Sequence, residues 1–129
     1  MDAGEVLKNK KIFAVIGVPQ DEFKYGFEVF HTLVEHNYKV YPINPKYDEI
    51  AGHKCFPSLD ALPEKPEVIV FILAPQNTLK VLDQATENKD AIFWIPPGSW
   101  SEEVINKCNQ LGLRYLYDVC PVGELKKFK

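Results

Sequence analysis

The residues best suited to chemistry in this 129-residue chain sit in short stretches that each follow an apolar run. Gly17-Val18-Pro19-Gln20 follows Ile12–Ile16, and Asn44-Pro45-Lys46 follows Tyr38–Ile43. Leu73-Ala74-Pro75, Ile95-Pro96-Pro97-Gly98 and Tyr117-Asp118-Val119-Cys120-Pro121 close three further runs. Glycine, proline and short polar residues let backbone N–H groups come close to a ligand, because no bulky side chain intervenes. The first stretch leads into Lys24-Tyr25-Gly26 at the start of a helical pattern, and the free amides of a helix N-terminus favour an anion. The same residue types also simply turn the chain, so the weight rests on several such loops meeting at one edge. Gly17 is read as the point where backbone meets phosphate, so that Gly17→Val weakens a ligand while leaving the fold intact.

Side-chain chemistry is sparser. No nucleophile elbow or Ser-His-Asp arrangement is present, and no pair of acids shares an edge beyond the lone Asp118. Asp118 suits a ribose or a water, and equally a turn cap. Cys120 beside it reads as a reactive thiol or as buried packing, and Cys108 as packing. Trp94 lies within an apolar strand and reads as core, whereas Trp100 is placed to stack on a base. Tyr25 is expected near the ligand, and Tyr47 over the sheet edge. His31, His36, His53 and the three widely spaced cysteines show no metal-ligand spacing, so neither a metal nor a disulfide framework is expected.

The elements that must position these residues alternate. Continuous apolar runs at 11–17, 68–73 and 91–95 suit strands buried on both faces, as in a parallel sheet. Residues 24–36 place Phe27, Phe30, Leu33 and Val34 on one helical face, with Asn37 as the stop. The second strand spans 38–43, closed by Asn44-Pro45. Lys54-Cys55-Phe56 reads as a short third strand at the edge. Ser58 is expected to cap one helical turn that ends before Pro63. A helix starting at Pro75 is expected to run to about Asn88 with Leu79, Leu82 and Ala85 inward. Ser101 caps another to about Leu111, with Gly112 following it, and 114–117 is the last strand. Right-handed crossovers make this a single α/β, Rossmann-like three-layer domain over 1–129, with a parallel sheet of five to six strands in the order 3-2-1-4-5-6. In such sheets ligands bind beyond the carboxyl ends of the strands, where the strand order switches.

A dinucleotide fingerprint is incomplete. Only Gly17 of the G-x-G-x-x-G pattern stands in place, with Pro19 and Glu22 at the later positions, and the second strand ends in Asn44 rather than an acid. Asp48 and Glu49 lie beyond Pro45, facing solvent. No P-loop follows the first strand.

Long stretches of the chain nevertheless resemble the small stand-alone CoA-binding domain family, which is similar to the nucleotide-binding domain of the succinyl-CoA synthetase alpha subunit. They are Ile12–Gly17, Lys24-Tyr25-Gly26, Val40–Gly52, Cys55–Leu59, Val68–Pro75 and Trp94–Ser99, and Pro42–Gly52 is the most specific. The resemblance implies coenzyme A lying across the strand ends. Gly17, Val18 and Pro19 would meet the phosphates or pantetheine, and Asn44, Pro45 and Lys46 the nucleotide half. Leu73, Ala74 and Pro75 would form one wall, and Ile95 and Gly98 another. Many relatives carry a glutamine near Trp94-Ile95-Pro96, and this chain does not. The synthetase reaction itself needs a phosphorylatable histidine in a second domain and a separate ATP-binding subunit, so the ligase activity does not carry over.

The leading expectation is therefore non-catalytic binding of coenzyme A or an acyl-CoA. Two alternatives stand beside it: a small NAD(P)-dependent oxidoreductase or CoA-dependent transferase using Asp118 or Cys120, and a degenerate Rossmann interaction domain. A net charge of -3 with no basic stripe argues against nucleic acid. The lysines at 126, 127 and 129 read as a solubilising tail. No run is long enough to span a bilayer, residues 1–10 carry no apolar leader core, and the cytoplasm is the expected compartment. A protein partner is left open.

Overall fold

The structure, a computed structural model, describes residues 2–127. Its frame is a five-stranded parallel sheet of β1 (Ile12–Ile16), β2 (Lys39–Ile43), β5 (Val68–Phe71), β6 (Ile92–Ile95) and β7 (Arg114–Tyr117) in the order β2-β1-β5-β6-β7. Each central strand is apolar at every position because both its faces are covered. Phe13, Val15, Val68, Val70, Ile92 and Trp94 point to one side, where α1 (Ala3–Asn9), α2 (Tyr25–Glu35) and α5 (Pro121–Leu125) pack. Ala14, Ile16, Ile69, Phe71, Phe93 and Ile95 point to the other, beneath α3 (Pro75–Gln84) and α4 (Glu102–Gln110). The architecture is the three-layer, Rossmann-like one read from the sequence.

The short third strand is reduced. Glu49–Ile50 (β3) and His53–Lys54 (β4) form their own antiparallel pair, and the sheet is met only by a parallel bridge between Ile43 and Phe56. Pro42 explains this. Its carbonyl faces outward and accepts the Phe56 N–H at 3.0 Å, but proline offers no N–H to extend the ladder. The expected order holds with that bridge in the place of strand three.

Several local signals behave as their chemistry requires. Asn37 ends α2 in the left-handed region at φ 69°, and the Ser101 hydroxyl accepts the Val104 N–H at 3.2 Å to cap α4. Ser58 departs from expectation. Its backbone carbonyl, not its hydroxyl, starts the 3₁₀ turn Leu59–Ala61. The α3 helix stops at Gln84, earlier than expected, because at Ala85 the bonding tightens to i→i+3 and a 3₁₀ turn (Thr86–Asn88) follows. Two terminal helices were not anticipated. In α1, Asp2 and Glu5 form a reciprocal capping box, and Val6 and Leu7 are buried. In α5, Val122 and Leu125 close the same layer. Lys127 pairs with Glu124 at 3.2 Å rather than standing in a free tail, and Lys129 lies outside the described residues.

Two backbone features fix the ends of the sheet. At the lower end the Glu67 carboxylate accepts the amides of Lys11 (2.8 Å) and Ile12 (3.1 Å), which holds its pKa below the ordinary 4.5. At the upper end Gly17 has φ +94°, and a Cβ there would fall on the carbonyl of Ile72. The absence of a side chain at Gly17 is thus demanded by the neighbouring strand end. The expectation that Gly17→Val leaves the fold intact is corrected: that valine collides with the protein's own backbone.

Gly17→Ala is expected to lower unfolding free energy by roughly 2 kcal/mol, from positive φ plus the collision; denaturant titration giving wild-type stability would contradict the packing argument. Glu67→Ala is expected to cost about 1.5 kcal/mol at pH 7. Because the folded pKa is depressed, this contribution is complete above the ordinary glutamate value of 4.5 and is lost as pH falls through the folded value. Wild type and variant should therefore converge in stability under acid. A gap that stays constant down to pH 3 would refute the assignment.

Candidate functional site

The strand order reverses direction between β1 and β5, and a cleft of about 590 Å³ opens there beyond the strand ends. Its floor is the ends of the strands themselves: Ile16, Gly17, Ile43 and Ile72. One wall is Asn44-Pro45-Lys46 continued by Pro57-Ser58-Leu59-Asp60. The facing wall is Leu73-Ala74 and one side of α3, made by Asn77, Lys80, Val81 and Gln84. These four stand at i, i+3, i+4 and i+7, the spacing of a single helical face. That spacing is present in the sequence, but its polar members have the composition of a solvent-facing helix side; Ser58 is read there as a cap, and Asp60 as part of the turn it caps.

Asn44 holds the first wall in place. Its side-chain amide donates to the carbonyl of Val18 (3.0 Å), its side-chain oxygen accepts the Lys46 N–H (3.0 Å), and its own N–H goes to Phe56 (3.0 Å). A carboxylate has no proton to give Val18. The acid that grips a ribose in dinucleotide sites is therefore incompatible with this loop junction. The opposite wall is tied to the next strand end by the Leu73 N–H, which donates to the Ser99 hydroxyl at 3.3 Å. Lys46 and Lys80 line the cleft on opposite walls, as does Asp60 on the wall of Lys46, and among the described residues neither ammonium has an ion-pair partner.

Of the residues named from the sequence, Gly17, Asn44, Pro45, Lys46, Leu73 and Ala74 come together in this cleft. The others lie outside its lining. The side chain of Val18 is fully buried in the core, and so is that of Ile95. Pro19 packs by Gly26, where a Cβ would come within 2.9 Å of its ring and 2.8 Å of Ile72, so both serve the seating of α2. Pro75 is the first residue of α3, and Gly98 is exposed at φ +90° with open space around it. Lys24 is the N-cap of α2 in extended backbone, and its side chain makes no capping bond. Lys24 and Tyr25 border a second, shallower groove on the other face with Phe23, His31 and Ala51.

The last strand end forms its own network. The Tyr25 hydroxyl donates to Cys120 Sγ at 3.1 Å, and burial, reinforced by the thiol, pushes the phenol above its usual range. The Trp100 indole donates to Asp118 Oδ1 at 2.9 Å and meets the Tyr117 ring edge-on at 5.0 Å. Asp118 thus serves an indole, and Trp100 is engaged by its neighbours. Trp94 is fully buried with its indole N–H on the Val119 carbonyl at 2.8 Å, as a core residue. Cys108 is buried too, which raises its thiol pKa to about 11. Among the described residues no three His, Cys, Asp or Glu side chains gather as a metal cluster, and no helix is long and apolar enough to cross a membrane.

Comparison with known proteins gives this geometry a context. A "CoA binding domain" family matches residues 11–126. The ADP-forming acetate–CoA ligase of Methanocaldococcus jannaschii is 34% identical over 109 residues, covering 81% of this chain. The chain spans only 16% of that ligase's length. Among solved structures, a hypothetical protein from Pyrococcus horikoshii OT3 superposes with a TM-score of 0.90 at 31% identity, over 98% of this chain and 89% of its own. An acetyl-coenzyme A synthetase from Ca. Korarchaeum cryptofilum, solved with phosphate and ADP, superposes at 0.75 with 29% identity, over 87% of this chain and 26% of its own. With the match running through all five sheet strands and both walls of the cleft, the chain belongs to the CoA binding domain family.

Proposed function

We propose that this protein binds coenzyme A or an acyl-CoA in the cleft between Asn44–Lys46 and α3, without itself performing chemistry on it. The observation that carries the reading is the pairing of site and charge. The cleft lies at the switch in strand order, where Rossmann-like sheets take nucleotides. At the end of β2, the position that usually selects a ribose with an acid carries the amide of Asn44 and the free ammonium of Lys46. Coenzyme A presents a 3′-phosphate on its ribose; NAD presents a bare ribose and gains nothing from a cation there. Apolar floor residues and a polar rim are the ordinary make-up of a small-molecule pocket, and the volume falls in the usual range. The family membership and the similarity to acetate–CoA ligases support the same ligand. The ligases' activity is a property of much longer chains.

Isothermal titration of the purified protein tests this. Coenzyme A is expected to bind more tightly than dephospho-CoA, and NAD weakest. A partly exposed charge-assisted contact is worth about 1 kcal/mol, or around fivefold in affinity. Lys46→Ala should narrow the gap between coenzyme A and dephospho-CoA, and raising salt should narrow it further. Identical affinities for the two at low salt would remove Lys46 from phosphate recognition, and absence of binding by all three would overturn the ligand assignment.

A further inference from the structure

Strand β7 ends the sheet on the side away from β2, and among the described residues it is hydrogen-bonded to β6 alone. The Asp118 N–H donates to the Ile95 carbonyl at 2.9 Å, so Arg114, Leu116 and Asp118 turn their backbone groups towards β6. Alternation points the N–H and C=O of Tyr115 and Tyr117 outward, and among the described residues nothing takes them up. Of the features that usually keep an edge strand single, proline, lysine and bulges are all missing from β7. Its outer margin is aromatic instead. Tyr117 is 42% exposed, and its ring stands 6.2 Å from Tyr115 and 5.0 Å from Trp100.

We infer that this edge is an interface between two copies of the chain, joined antiparallel through β7 about a two-fold axis at Leu116, so that two five-stranded sheets become one continuous sheet. The register follows from which groups are free. With Leu116 facing Leu116 of the second copy, Tyr115 of each copy stands opposite Tyr117 of the other. Each facing pair exchanges both of its N–H···O bonds, as antiparallel strands require. These bonds consume every outward N–H and C=O of both strands. A shift by one residue sets an outward residue opposite an inward one, and a shift by two leaves a tyrosine of each copy beyond the partner strand. A second copy is therefore the occupant that this strand complements, since a two-fold contact needs a self-complementary surface. The side chains agree with the register. Aromatic residues at facing positions favour cross-strand pairing. Arg114 falls opposite Asp118 of the second copy, a cation across from an anion at each end, and neither has an ion-pair partner within the chain among the described residues. Asp118 turns the chain out of the strand at φ +60°, which confines the pairing to Arg114–Tyr117 and makes the dimer concentration-dependent.

Sedimentation velocity of the full chain over a concentration series, with amide hydrogen exchange read residue by residue, tests this. Wild type is expected to pass from the mass of one chain to that of two as concentration rises. The Tyr115 and Tyr117 amides should exchange freely in dilute protein and gain about tenfold protection or more in concentrated protein. The Leu116 amide, bonded to β6, should be protected throughout. Tyr117→Pro removes an N–H that no bond within the chain uses, and by symmetry it removes two bonds from the dimer. It should weaken association about tenfold or more, with the melting of dilute protein and the protection of Leu116 unchanged. A chain that stays single at every concentration would overturn the inference. So would a dimer whose Tyr115 and Tyr117 amides exchange freely, or one that Tyr117→Pro leaves as tight as wild type.

Discussion

Gly17 and Ile72 meet backbone to backbone where two neighbouring strands part, and the rest of the molecule is arranged around that contact. The Ile72 amide donates to Ile16 at 2.8 Å, the Gly17 amide donates to Ile43 at 2.8 Å, and Gly26 brings the start of α2 against the same point. Three strand ends and a helix are thereby drawn into one knot. Any side chain larger than hydrogen would force it open. The cleft exists because β1 and β5, neighbours in the sheet, send the chain to opposite faces beyond this knot, β1 to α2 and β5 to α3. Its floor is rigid for the same reason.

The electrostatics of the cleft follow from a structural duty. Asn44 is committed on three sides by hydrogen bonds that splice the loop after β1 to the loop after β2. Its donor to Val18 rules out a carboxylate at that position without loss of the splice. With no acid there, the nearby lysine has no carboxylate at the strand end, and the charged lining of the cleft is Lys46, Lys80 and Asp60.

What the sequence showed and what it hid divide along physical lines. Strands β1, β5 and β6 were legible because burial on both faces writes an unbroken apolar run, and their ends could be named to within a residue or two. Gly17, Asn44-Pro45-Lys46 and Leu73-Ala74, which line the cleft, were legible for the same reason: they are what comes after such a run. Asn77, Lys80 and Gln84 were not, because a polar helix face lining a wet cleft has the same composition as one facing bulk solvent. The two terminal helices escaped because each buries few side chains, too few to establish a period; only the Asp2–Glu5 box marked α1. Val18 and Ile95 stand at strand ends as read, but their side chains belong to the two core layers, Val18 beneath α2 and Ile95 beneath α3 and α4.

The proline that cut short the third strand has an effect beyond local bonding. An open parallel sheet presents two rims along which a foreign strand can add, and proteins guard such rims because addition leads to aggregation. On the β2 side, Pro42 has no hydrogen to offer and its oxygen is already taken by Phe56. The rim nearest the cleft is thus sealed by a missing donor. Edge-to-edge pairing with another chain is thereby disfavoured along that part of the rim.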